Sequence, residues 1–120
     1  GKAGSIEIQG RNLNLRDRTL VIAETSSADG GDINLNVNSL VLRQGSVIST
    51  TGGIAQASGN GGNIKINADV IVAPAKENSD ISANAFRGRG GNITINTQGL
   101  FGIAPTTALT DFSDITASSQ

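Results

Sequence analysis

Apolar residues in this chain recur in pairs separated by one polar residue. Ile6 and Ile8 alternate with Ser5, Glu7 and Gln9, and Ile33 and Leu35 alternate with Asp32, Asn34 and Asn36. The pattern returns at Ile64 and Ile66 around Lys65, and at Ile93 and Ile95 around Thr94. A period of two marks a strand with one face buried and the other wet. No segment of ten residues carries the i, i+3, i+4, i+7 apolar spacing of a helix.

These pairs sit inside a longer repeat. A Gly-x-Ile-x-Ile/Leu unit begins at Gly4, Gly31, Gly62 and Gly91, with spacings of 27, 31 and 29 residues. Leu13, Leu40, Ile71 and Leu100 form a second column at a constant distance after it. A third column holds Val21, Ile48, Ile81 and Ile115. Three apolar columns in one cyclic order predict three short strands per repeat, and a repeat near 30 residues matches one coil of a parallel β-solenoid. The fold expected is all-β: one solenoid segment over residues 1–120, with coils at about 1–29, 30–60, 61–89 and 90–120. A hairpin meander is disfavoured, because no two-residue hairpin turn joins neighbouring strands.

One coil cannot bury its own few Ile and Leu side chains, but coils above and below complete a core. Stacking at ~4.8 Å predicts two continuous core columns, Ile6, Ile33, Ile64, Ile93 and Ile8, Leu35, Ile66, Ile95. A second Gly precedes three of the four units, at Gly30, Gly61 and Gly90, and a positive φ is expected at that corner. Length variation falls between strands: at Thr51 to Asn60, at Pro74 to Asn78 and at Ile103 to Phe112.

Composition narrows the function. The 120 residues hold 12 Asn, 12 Ser and 10 Thr but only three Phe, with no Cys, Met, Trp, Tyr or His. Zinc sites of the usual kind, haem ligation, thiol catalysis and a Ser-His-Asp arrangement are thereby excluded. A net charge of −1 offers no basic footprint for nucleic acid. No apolar run approaches the length of a membrane helix, and the opening residues do not read as a signal peptide.

The polar columns are as regular as the apolar ones. Asn63 and Asn92 share a column with Asp32 and Ser5, and Asn36, Asn67 and Asn96 share one with Gln9. Both are expected to form structural ladders of amides bonded from coil to coil; carbohydrate binding by an amide-rich face is the competing reading. Thr19, Ser46, Ser79 and Ser113 are expected inside a corner with hydroxyls on backbone, and Ile22, Ser49, Ser82 and Thr116 outside. Asp80 and Asp114 fall in one outward column, close enough to act as an acid/base pair. That column holds Leu20 and Val47 in the earlier coils, so a corner-shaping role is preferred. Arg16 with Arg43, and Arg87 with Arg89, read as solvated surface, and the chain lacks the Thr array of an ice-binding solenoid. No catalytic, metal or cofactor residue is assigned.

The segments Gly61-Gly62-Asn63-Ile64-Lys65-Ile66-Asn67 and Gly90-Gly91-Asn92-Ile93-Thr94-Ile95-Asn96 resemble the repeats of filamentous-haemagglutinin-type exoproteins. So do Leu42-Arg43-Gln44-Gly45-Ser46-Val47-Ile48-Ser49 and Ser113-Asp114-Ile115-Thr116-Ala117-Ser118-Ser119. The resemblance spans nearly the whole chain and is closest to the cyanobacterial proteins with a haemagglutination-activity domain. It implies a right-handed parallel β-helix, two-partner secretion through an outer-membrane transporter, and adhesion at the cell surface. The family's secretion domain and Asn-Pro motifs are not recognisable, so the chain reads as shaft, and no functional residue carries over.

The function expected is a non-enzymatic structural segment of a secreted or surface adhesin or extracellular fibre, located outside the cell. The alternative is a polysaccharide-binding or polysaccharide-cleaving β-helix. Open coil ends are expected to associate with other copies head to tail, and a cell-surface carbohydrate or receptor is the other partner considered.

Overall fold

The computed structural model describes residues 4–23, 31–50, 60–85, 90–105 and 113–116, with the side chains of 104 and 105 left aside. The expectations placed on the Thr51–Asn60 connection, on Arg87 and Arg89, and on most of Ile103–Phe112 lie largely outside those residues. Coil one comprises β1 (Ile6–Gln9), β2 (Asn12–Leu15) and β3 (Leu20–Ile22). Coil two comprises β4 (Ile33–Asn36), β5 (Ser39–Leu42) and β6 (Val47–Ser49). Coil three holds β7 (Ile64–Asn67), β8 (Val70–Val72) and β9 (Asp80–Ser82), with a 3-10 turn at Ala75–Glu77 between the last two. Coil four holds β10 (Ile93–Asn96), β11 (Gly99–Phe101), a short β12 (Ala104–Pro105) and β13 (Asp114–Thr116).

Every strand pairing among the described residues is parallel, and all but that of β12 with β13 join one coil to the next. The first sheet runs β1-β4-β7-β10, the second β2-β5-β8-β11, and the third β3-β6-β9-β13-β12. The chain is therefore a short parallel β-helix of four coils. The register aligns Ile6 with Ile33, Ile33 with Ile64, and Ile64 with Ile93; Ile8, Leu35, Ile66 and Ile95 follow in the same way. Val21, Ile48, Ile81 and Ile115 stack in the third sheet.

Burial grades along the axis. Inward residues of the middle coils, such as Ile33, Leu35, Leu40, Ile66 and Ile71, are fully enclosed. Each contributes about 1.5–3 kcal/mol of apolar burial. Their counterparts Ile6, Ile8, Leu13, Val21, Ile93 and Ile95 are only partly buried, because a neighbouring coil covers one side alone.

The corners account for the unequal repeat lengths. Between the third strand of one coil and the first of the next, the chain leaves and returns across one backbone hydrogen bond. Gly31 donates to Ala23 at 2.8 Å, Gly62 to Thr50 at 2.8 Å, and Gly91 to Ala83 at 2.7 Å. The second of these connections is four residues longer than the first. The corner from Ala73 to Asp80 is two residues longer than its counterpart from Leu42 to Val47. Those differences turn a 27-residue spacing into 31 and 29 without shifting any sheet.

Three expectations need correction. The corner glycines Gly61 and Gly90 do not adopt a positive φ, Gly30 lying outside the described residues: among those only Gly45 and Gly102 do, beside Asp17, Arg18, Gln44 and Asn78. Gly61 and Gly91 are needed for space instead, since a Cβ on Gly91 would lie 1.8 Å from the Gly62 carbonyl oxygen. Ser49, Ser82 and Thr116 are buried rather than outward. Thr116 Oγ1 donates to Asn84 Oδ1, two residues beyond β9, at 3.2 Å. Finally, coil four does not leave three open strands. β12 pairs with β13, Ala104 against Asp114 and Pro105 against Ile115, so Pro105 belongs to a strand and not to a loop.

Candidate functional site

The two Asn columns do different things. At the corner between the first and second sheets, Asn67 Nδ2 donates to Asn36 Oδ1 at 2.9 Å and Asn96 Nδ2 donates to Asn67 Oδ1 at 2.8 Å. This is an amide ladder along the axis. Gln9 stands outside it, since its Nε2 donates to Glu7 Oε1 at 3.1 Å. Just before the first sheet, the side chain serves the backbone instead. Asp32 Oδ1 accepts from the Asn63 N–H at 3.0 Å, and Asn63 Oδ1 accepts from the Asn92 N–H at 3.0 Å.

The amide ladder borders an open groove of about 540 Å³. Its other bank is a column that sequence reasoning did not single out: Asn38, Asp69 and Gln98, all exposed. Their backbones climb the stack, Asp69 N–H to the Asn38 carbonyl at 2.9 Å and Gln98 N–H to the Asp69 carbonyl at 3.0 Å. The only signal was position: each lies two residues beyond a ladder Asn.

At the corner between the second and third sheets, Ser46 Oγ donates to the Arg43 carbonyl at 2.8 Å and accepts from Thr19 N–H at 3.2 Å. Ser113 Oγ donates to the Pro74 carbonyl at 2.8 Å and accepts from Ser79 N–H at 3.0 Å. The buried Ser79 hydroxyl has no partner among the described residues. The residue three back from it is Lys76, inside the 3-10 turn that lengthens this corner.

Arg43 is not merely solvated. Its Nε and Nη2 reach Glu77 Oε1 and Oε2 at 2.7 and 2.9 Å, and Gln44 N–H donates to Glu77 Oε1 at 3.0 Å. This fork ties coil two to the insertion of coil three. The Arg43 guanidinium and the Gln44 N–H lower the Glu77 pKa to about 2, and Glu77 in turn raises that of Arg43.

Asp80 and Asp114 are brought together on adjacent strands, but not as two free carboxyls. Asp80 Oδ1 accepts the Asp114 backbone N–H at 3.0 Å, and Asp114 is 1% exposed. The contact repeats the Asp32–Asn63 arrangement in another sheet. Partial burial raises the Asp80 pKa to about 6, with the Asp114 N–H opposing the shift and the Asp114 charge adding to it. A carboxyl whose folded pKa exceeds its unfolded value favours the fold most at low pH. That advantage fades as pH rises from about 4 toward 6. The shift corresponds to about 3 kcal/mol at full strength, and to about 1–2 kcal/mol for a half-exposed group screened by solvent. Asp80→Asn keeps the acceptor oxygen and removes the charge. It is expected to raise the thermal midpoint at pH 7.5 and to leave it unchanged at pH 3.5. A variant no more stable than the parent at pH 7.5 would contradict this assignment.

Among the described residues, no three His, Cys, Asp or Glu side chains gather closely enough to hold a metal ion. No family model matches the chain, and neither a curated protein nor a solved structure matches it significantly.

Proposed function

We propose that this chain is a rigid, non-enzymatic segment of a secreted or surface adhesin or extracellular fibre. The carrying observation is the separation of constant and variable parts. Three sheets keep one register through four coils, while length differences among the described coils fall at the corners between strands. Such a body acts as an axial spacer that presents variable segments sideways. The one carboxylate pair that invites a catalytic reading supports this view, because Asp80 holds a backbone N–H and Asp114 is enclosed.

Protease treatment of intact producing cells tests the proposal. The expected outcome is loss of the chain from whole cells without lysis, together with its appearance in the shed or medium fraction. Protection of all the protein until lysis would overturn it.

Polysaccharide binding is a second reading, favoured by one observation: the groove between the Asn36–Asn67–Asn96 ladder and the exposed Asn38, Asp69 and Gln98. Retarded migration in a gel containing polysaccharide, lost in Asn38→Ala with Gln98→Ala, would favour that reading over a purely structural one.

A further inference from the structure

The corner between the second and third sheets carries a concavity of its own. An open cleft of about 570 Å³ lies there, built from three consecutive coils. Turn residues line it together with Val47 and Asp80, neighbours in the outward row of the third sheet. Backbone geometry sets this corner apart. All four described non-glycine residues with a positive φ, Asp17, Arg18, Gln44 and Asn78, belong to it. The register that pairs Leu20 with Val47 makes Gly45 the counterpart of Arg18, and both have a positive φ. Glycine suits that conformation and arginine seldom adopts it, yet coil one places arginine there. The bare Gly45 makes room for the arginine stem, since a Cβ on it would lie 3.5 Å from Arg18 Cγ.

Three charged side chains line the cleft: Arg18, Glu77 and Asp80. Glu77 is neutralised by the Arg43 fork. Arg18 and Asp80 form no ion pair among the described residues. Asp80 receives one hydrogen bond, from Asp114 N–H to Oδ1, which leaves Oδ2 for another partner. Asp80 is also costly to the fold. Partial burial raises its pKa to about 6, so its charge detracts from stability at neutral pH. Leu20 and Val47 fill the same column in the preceding coils without that cost. A carboxylate kept against stability, beside a cleft and without a counter-ion, marks a place that serves something besides the fold.

We propose that this cleft binds a small zwitterion of the amino-acid type. Arg18 takes the carboxylate, in the forked geometry that guanidinium and carboxylate share. Asp80 takes the ammonium group, and Val47 offers an apolar contact to the side chain of the ligand. Charge balance selects this class. Arg18 disfavours a simple cation and Asp80 a simple anion, whereas a ligand carrying both charges satisfies both groups.

Solution NMR of the 120-residue chain, titrated with L-leucine at pH 7.5, tests the proposal. The amide signals of Arg18, Gly45 and Asp80 should shift and saturate at millimolar ligand. Leucinamide lacks the carboxylate and N-acetyl-leucine lacks the ammonium, so each should bind at least tenfold more weakly. Arg18→Gln should weaken leucine at least tenfold while scarcely changing leucinamide. Asp80→Asn should weaken leucine at least tenfold while scarcely changing N-acetyl-leucine. Because Asp80→Asn is the more stable protein at this pH, its loss of binding is not unfolding. Asn38→Ala, in the groove beside the amide ladder, should bind leucine as the parent does. Absence of a saturable shift with leucine, equal binding of the three compounds, or undiminished leucine binding by either cleft variant would each overturn the proposal.

Discussion

Ile64→Asp is expected to unfold the solenoid at neutral pH. Ile64 lies between Ile33 and Ile93 in the first-sheet core and is almost fully buried. The substitution forfeits about 2–3 kcal/mol of apolar burial. It also places a carboxyl with no partner between two coils, at a cost of about 2–7 kcal/mol even in its neutral form. Together these rival the whole stability of an ordinary domain, about 5–15 kcal/mol. Ile64→Val, which removes one methyl, should cost only about 1 kcal/mol and remain folded. Amide hydrogen exchange over β4, β7 and β10 is the measurement. Native-like protection of those strands in Ile64→Asp would refute the stacked core.

Gly91→Ala is the second large effect, and Gly4→Ala is its control. Both glycines open the same repeat unit. At Gly91 a Cβ would lie 1.8 Å from Gly62 O and 2.7 Å from Gly62 C, while at Gly4 it meets nothing within 4 Å. The obstacle at Gly91 is backbone in the coil below, held in turn by the bond from Gly62 N–H to Thr50 O. Relief requires separating two coils, so a loss of about 3 kcal/mol or more is expected. At roughly 4 °C per kcal/mol, the thermal midpoint should fall by more than 10 °C. Gly4→Ala should be neutral or slightly stabilising, because it narrows the unfolded ensemble without a clash. Equal midpoints for the two variants would show that the close approach at Gly91 does not constrain the fold.

The core was legible in the residues because coil stacking makes each column a repeated spelling of one environment. Ile6, Ile33, Ile64 and Ile93 announce their shared fate before any coordinates. The same logic located both Asn columns, but it could not distinguish an amide donating to an amide at Asn67 from an amide accepting a backbone N–H at Asn63. That distinction depends on where each side chain stands relative to the strand end. Features that occur once were harder to read. Glu77 sits in an insertion absent from coils one and two, so nothing in the periodicity tied it to Arg43. β12 arises from Ala104 and Pro105, a dipeptide whose strand character comes only from lying beside β13. The expectation at Gly61 differs from the structure because glycine serves both a positive φ and a tight contact, and the letter is the same.

The closures at Ala23–Gly31, Thr50–Gly62 and Ala83–Gly91 have a practical consequence. Each brings the two ends of a connection within one hydrogen bond. The conformational cost of lengthening such a connection grows slowly, by about 0.6 kcal/mol for each doubling. The three junctions are therefore natural grafting points: a foreign epitope inserted within residues 24–30, 51–59 or 86–89 would enter between ends that meet on one flank of the stack, at intervals set by the coil spacing.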